Sequence, residues 1–319
     1  MLVENAVIGN FREGFTIQGY YIIKEVELKK SKNNSKYLDM VLADKTGEVN
    51  SKIWDYKLEE SEFSKNSLVK VKGEVINYSN NLQLNISKIR MTNEEDNVKI
   101  EDFVPAAPIP AEDMLNTIEN YISRIENKDI KNIVSYIIDE YRDKLIFYPA
   151  AMKNHHSIKG GLLYHVSTML VLGEKISQVY PFLNTDLLYA GIILHDIAKI
   201  DEMDSSELGI VEDYTFEGKM LGHIIEGIKN IEIVGEKLKA DREIVLLLEH
   251  MVLTHHYEPE YGSPKKPMLK EAEILHYIDK IDATMFDIGK ALSDTPKGEF
   301  TDGIWTLDKR RIYNPKALD

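Results

Sequence analysis

The chain has 319 residues, 43% hydrophobic and 29% charged, which is enough for two or three soluble globular domains. No apolar run approaches the roughly 18 residues of a membrane span, and the start lacks the basic and apolar regions of a signal peptide. Zero cysteines exclude disulfides and thiolate chemistry, and a net charge of −14 argues against non-specific coating of nucleic acid, so a cytoplasmic protein with no membrane partner is expected.

The first ninety residues read as strands. Phe15–Glu27 is rich in aromatic and β-branched residues, Lys36–Ala43 follows a polar loop, and Glu48–Trp54 returns after the turn Asp44–Gly47. Asp55–Lys65 reads as a helix with Asp55 as N-cap, and Leu68–Ile76 and Leu82–Ile89 as a hairpin around Asn80-Asn81. Five strands with a helix between the third and fourth is the order of an all-β OB-fold barrel over residues 1–92. Such barrels bind single strands through stacking aromatics and a basic groove. Tyr20, Tyr21, Tyr37 and Trp54 are the stacking candidates, against the alternative that they fill the barrel core. Lys29, Lys30, Lys32 and Lys36 form a basic loop, either solvated or in contact with phosphate.

Residues 93–111 are acidic and then proline-rich, the composition of a semi-rigid linker. The charge shifts here too. Residues 1–98 hold 14 Lys+Arg against 15 Asp+Glu, whereas 99–319 hold 25 against 38. The near-neutral first part is thus the less repulsive place for a polyanion, and the acidic second part needs metal ions or local cations beside a phosphate.

Beyond the linker the apolar spacing becomes helical, first through Met114–Ile125 and Ile133–Tyr141. Further helices are expected at 161–179, 186–196, 218–238, 241–254 and 269–293, with almost no strand signal, so residues 112–300 read as an all-α bundle and 301–319 as a tail. Seven of the nine histidines fall in these helices or at their ends. Imidazoles and carboxylates on facing helices are how bundles build mono- and dinuclear metal sites. Nitrogen and oxygen donors without sulfur suit Mn, Fe, Mg or Zn and leave the choice open.

The order His165, His195-Asp196, Asp279 resembles the H…HD…D signature of the HD phosphohydrolase superfamily. His223, His255 and His256 are similar to the extra ligands of its dinuclear members. The whole chain resembles something narrower. "LADKTGEVNSKIWD", a proline linker, "HHSIKGGLLYH" and "LHDIAK" are similar to the YhaM family of bacterial 3′–5′ exoribonucleases. That resemblance implies manganese-activated removal of nucleoside monophosphates from the 3′ end of single-stranded RNA, with single-stranded DNA as a further substrate.

On this reading His165, His195, Asp196, His223, His255, His256 and Asp279 hold two divalent ions. Asp282, one helical turn from Asp279, is the competing ligand. The metals activate water, so no side-chain nucleophile is required. Lys199, three residues past Asp196, is expected to offset charge on the phosphoryl group. His155-His156 either contact substrate phosphate or flank a loop, and His250 and His276 read as solvated or core histidines. Tyr20, Tyr37, Trp54, Lys36 and His156 make up the expected nucleic-acid contacts. The tail Trp305…Lys309-Arg310-Arg311 either guides RNA or packs against another subunit. The runner-up function is an HD-type phosphohydrolase of nucleotides or cyclic dinucleotides with a regulatory barrel, and a homo-oligomer that shares access to its sites would suit so acidic an enzyme.

Overall fold

Thr16–Lys30 alternates inward and outward positions with apolar residues on the inward side, the signature of a half-buried strand. In the computed structural model it forms β2, which is long enough to serve two neighbours. The structure describes residues 2–31, 33–57, 63–79, 81–152 and 156–317. The chain divides into two units, Met1–Pro105 and Ala106–Asp319.

In the first unit the short β1 (Leu2–Glu4) runs parallel to the start of β2. The first half of β2 pairs with β5 (Leu68–Tyr78) and the second half with β3 (Lys36–Asp44), with a register shift between Ile23 and Glu25. Such an irregularity bends a strand so that it can belong to both sides of a barrel. β3 continues antiparallel into β4 (Gly47–Ile53), β4 lies parallel to β6 (Asn81–Met91), and β6 returns to β5. The five long strands thus close the OB-fold barrel around Ile17, Tyr21, Leu38, Met40, Leu42, Val69 and Leu84.

The turn Asp44–Gly47 is held by the Asp44 carboxylate, which accepts from the backbone N–H of Ile8 and of Thr46. The expected helix Asp55–Lys65 is not seen at its flanks: Asp55–Lys57 and Phe63–Lys65 are non-helical, and residues 58–62 lie outside the described residues. Asp55 has φ 52, not the extended backbone of an N-cap. The β5–β6 turn comes one residue earlier than expected, because Asn81 already pairs with Tyr78, and Asn80 lies outside the described residues.

The acidic stretch after β6 stays with the barrel. Asp96 accepts two hydrogen bonds from Arg90 at 2.6 and 2.7 Å and one from the Tyr20 hydroxyl at 3.1 Å.

The second unit is helical: α1 (Ala111–Arg124), α2 (Lys128–Leu145), α3 (Gly161–Val179), α4 (Thr185–Leu194), the one-turn α5 (Lys199–Glu202), α6 (Phe216–Leu238), α7 (Arg242–Thr254) and α8 (Lys270–Ser293). A short hairpin, β7 (Met203–Ser205) and β8 (Val211–Tyr214), interrupts it; these strands are too short to leave a periodic signal. Every residue of α4 from Leu187 to Leu194 is buried, since α1, α2, α3, α7 and α8 surround it. An all-apolar helix of this kind belongs at the centre of a bundle, and its end delivers whatever follows it to the interior. No described helix is long and apolar enough to cross a membrane.

Candidate metal centre

α4 ends at Leu194, so His195 and Asp196 sit in the turn beyond it rather than within a helix, both buried. α7 ends in the same manner, one residue before His255. Two helix C-termini therefore meet here, and their partial negative charge favours a cation.

Each C-terminus also leaves carbonyls without intrahelical partners, and the histidines use them. His195 Nδ1 donates to Ile192 O at 2.8 Å and His255 Nδ1 to Val252 O at 2.7 Å. His256 Nδ1 donates to Tyr261 O at 2.5 Å. A carbonyl can only accept, so Nδ1 carries the hydrogen and Nε2 of each ring keeps its lone pair.

The other two imidazoles are anchored by carboxylates. His165, on α3, donates from Nδ1 to Asp282 Oδ2 at 2.7 Å. His223 donates from Nδ1 to Glu202 Oε2 at 3.1 Å, and its backbone N–H reaches Glu202 Oε1 at 3.3 Å. That second bond exists because α6 is kinked at Gly222, whose φ of 72 and ψ of 164 are non-helical. Fixing a ligand through its far nitrogen is how metal sites set ring orientation and basicity.

The free ends converge. His195 Nε2 lies 3.5 Å and His165 Nε2 3.8 Å from Asp196 Oδ2, and His165 Nε2 lies 3.3 Å from Asp279 Oδ1. On the other oxygen, His223 Nε2 and His255 Nε2 lie 3.4 and 3.6 Å from Asp196 Oδ1. Two donors bound to one ion at ~2.1 Å sit roughly 3.0–3.4 Å apart, so these separations fit shared ions. The clusters able to hold a cation include His165, His195 and Asp279 on one side, and Asp196, His223, His255 and His256 on the other.

The buried Nε2 atoms of His195, His223 and His255 and Oδ1 of Asp196 have no hydrogen-bond partner among the described residues. Leaving such atoms unsatisfied costs about 1–3 kcal/mol each, a cost that a divalent cation at this point removes.

Electrostatics agree with this division. Burial pushes the Asp196 carboxyl up, but Lys199 and the neighbouring imidazoles outweigh it and hold it well below the usual carboxylate range. Burial lowers His195 and His255, and burial together with His255 pushes His256 down to about 3. Burial also pulls on His165, but Asp279 and Asp282 on its two sides raise it to about 9. His165 alone of these four therefore holds a proton that a cation must displace.

The competing carboxylates now occupy different places. Asp279 faces the Nε2 side of His165. Asp282 stands behind the ring and accepts also from His156 Nε2 at 2.7 Å and Thr168 Oγ1 at 2.6 Å. His156 is buried and bonded to that carboxylate, a position unlike the surface phosphate contact expected of it; His155 lies outside the described residues. Lys199 opens α5 and donates to Asp196 Oδ2 at 2.6 Å. His250 accepts from the backbone of Met268 and His276 donates to His255 O, both structural placements. Sequence reading missed Glu202 and Thr168, and no local motif marks either.

On the barrel, Tyr21 is a core residue, fully buried with its hydroxyl on Ala6 O. Its neighbour Tyr20 is occupied by Asp96, by Lys70 at 5.0 Å and by Phe103 at 6.2 Å. Tyr37 and Trp54 lie ring to ring at 4.8 Å, with Lys52 Nζ 5.0 and 5.4 Å from their centroids. Trp54 is 47% exposed. Lys36 begins β3 beside Tyr37, Lys29 is paired with Asp39 and Glu27, and Lys32 lies outside the described residues.

Comparison with known proteins places these two halves. The HD domain profile matches residues 162–284, and the profile of the OB-fold nucleic acid binding domain matches residues 21–92. The 3′-5′ exoribonuclease YhaM of Geobacillus sp. (strain WCH70) is 43% identical over 309 residues, covering 97% of this chain and 94% of that protein. Among solved structures, the second OB-fold domain of replication protein A from Methanococcus maripaludis matches 29% of this chain and 96% of its own, at 17% identity and a TM-score of 0.24. An OB domain from Thermoplasma acidophilum matches 29% of this chain and 87% of its own, at 16% identity and a TM-score of 0.23. Likenesses this slight carry no function, and the barrel assignment rests on its strand order and the matching profile.

Proposed function

The chain belongs to the YhaM family of 3′–5′ exoribonucleases, and on that premise we propose that it is a metal-dependent phosphodiesterase that shortens single-stranded RNA from the 3′ end and releases nucleoside monophosphates. The observation that carries the proposal is the convergence of Nε2 atoms on the two oxygens of Asp196. His165, His195 and Asp279 would hold one ion, His223, His255 and His256 a second, with Asp196 between them. Manganese is the favoured metal; iron, magnesium and zinc share its donor preferences here. Divalent metal supplies water activated at neutral pH and neutralises phosphoryl charge when bound.

The chain's own residues do the rest. The Nδ1 anchors keep each lone pair aimed inward, so the site needs little reorganisation. Glu202 and Asp282 position His223 and His165, and His165 gives up its proton on loading. Lys199, seated on Asp196, places a fixed positive charge where the equatorial phosphoryl oxygens gain negative charge. In the barrel unit, Tyr37 and Trp54 offer π-faces for bases, with Lys52 and Lys36 as the nearby cations. Stacking does not read the 2′-hydroxyl, so single-stranded DNA is a further substrate.

The test is incubation of 5′-labelled RNA with Mn²⁺. A ladder shortening from the 3′ end is expected from the native chain, and none from Asp196→Ala, which still binds RNA through the barrel. RNA that survives while free nucleotides are hydrolysed would replace this reading with that of a small-molecule phosphohydrolase. Full activity of Asp196→Ala in metal-replete buffer would remove the site assignment.

A further inference from the structure

The segment after α8 is an ordered hairpin. Phe300 and Ile304 form bridges with Tyr313 and Arg310, and Thr301 is buried, with its hydroxyl accepting from the Ile312 N–H at 3.0 Å. The hairpin is tied to α8 through Thr306, which donates to Asp287 Oδ2 at 2.5 Å, and to the residues just past α8 through Asn314, which donates to Thr295 O at 2.7 Å.

On this frame stand aromatic rings that do not fill a core. Trp305 is 76% and Phe300 55% exposed. Lys309 Nζ lies 5.1 Å from the Trp305 ring and the Arg311 guanidinium 5.8 Å from Phe300. Lys309, Arg310 and Arg311 are all exposed, and none forms a salt bridge among the described residues. In a chain of charge −14, three successive cations left without carboxylates, two of them over exposed rings, call for an anionic ligand with flat faces.

We propose that this hairpin is a second binding surface for single-stranded RNA, on the catalytic unit itself and separate from the barrel. The inference rests on the exoribonuclease reading for its choice of polyanion. Bases stack on Trp305 and Phe300 while Lys309, Arg310 and Arg311 meet the phosphates. Its place suits the task. Asp287 lies eight residues along α8 from Asp279, ~12 Å at 1.5 Å per residue, or on the order of three stacked nucleotides at 3.4 Å each. The strand trailing from a 3′ end held at the metal centre is thus within reach of the hairpin, which grips the next few nucleotides against release.

Two measurements on the full chain test this. Fluorescence anisotropy of a short, 5′-labelled phosphorothioate RNA that resists hydrolysis should show binding weakened about tenfold or more by Trp305→Ala. Lys309→Ala with Arg311→Ala should flatten the dependence of log affinity on log salt by about 1. The chain has two tryptophans, so Trp54→Phe leaves Trp305 as the one reporter, and added RNA should quench it. An unquenched Trp305 with unchanged affinity and salt slope overturns the proposal. So does a loss of self-association by Trp305→Ala in light scattering without a change in RNA binding, which would make the hairpin an interface between copies. Native chain that binds RNA through Trp305 yet leaves 5′-labelled RNA intact with Mn²⁺ would sink the exoribonuclease reading while sustaining the hairpin.

Discussion

Gly222→Ala isolates the contribution of backbone geometry to the metal centre. Gly222 has φ 72 and ψ 164, a region that only glycine adopts readily, and an L-residue held there costs of order 1–3 kcal/mol. Space is not the obstacle, since an added Cβ would meet only Glu202 Oε1 at 3.5 Å, an ordinary contact. The alanine variant therefore either carries that strain or lets the helix straighten. Straightening withdraws the His223 N–H from Glu202 and the ring from Asp196 Oδ1, 3.4 Å away. Losing the support of one ligand typically weakens metal binding about 10- to 100-fold. Thermal melts with and without Mn²⁺ separate the two outcomes: strain lowers the metal-free melting temperature by several degrees, whereas straightening shrinks the rise that metal produces. Gly289→Ala is the control. It has open space, no positive φ and a helical position, so alanine should stabilise by about 0.5–1 kcal/mol. A Gly222→Ala protein that melts and gains from Mn²⁺ like the native chain would refute the reasoning.

Asp282→Asn removes one of the two carboxylates that raise His165 to about 9. Native protein should release a proton from His165 on binding Mn²⁺ at neutral pH, so affinity climbs as pH rises towards 9. The variant should release less and bind about 10-fold more weakly; calorimetry in buffers of different ionisation enthalpy reads both, and equal proton release would count against the assignment. Glu249, raised to about 7 by burial and by its bond to Glu232, favours folding when protonated. Its contribution is complete below about 4.5 and is lost as pH rises through 7. Glu249→Gln should flatten the fall in melting temperature across that window, and an unchanged pH profile would dismiss Glu249 as its source. Trp54→Ala removes an exposed stacking face, so RNA affinity by anisotropy should drop about fivefold or more; native affinity would take Trp54 out of the interface.

Much of this protein was legible in its letters because the signals are periodic or ordered. A period of two gave the barrel strands, a period near 3.6 gave the helices, and the ordered set His165, His195-Asp196, Asp279 pointed to metal before any geometry. Tyr20 and Tyr21 show where that legibility stops. Neighbours on a strand face opposite ways, and composition does not say which face is the inside; closure of the barrel buried Tyr21 and left Tyr20 to Asp96. Asp279 and Asp282 share a helix and differ by one turn, so only the placement of α3 decided which meets Nε2 of His165 and which meets Nδ1. The carbonyls of Ile192, Val252 and Tyr261, which fix three of the imidazoles, are backbone atoms that any residue would supply. The sequence by itself determined the two folds and the kinds of donor available. The tertiary structure decided the direction of each lone pair, because that depends on which atom, from a distant part of the chain or from the backbone, stands behind each ring.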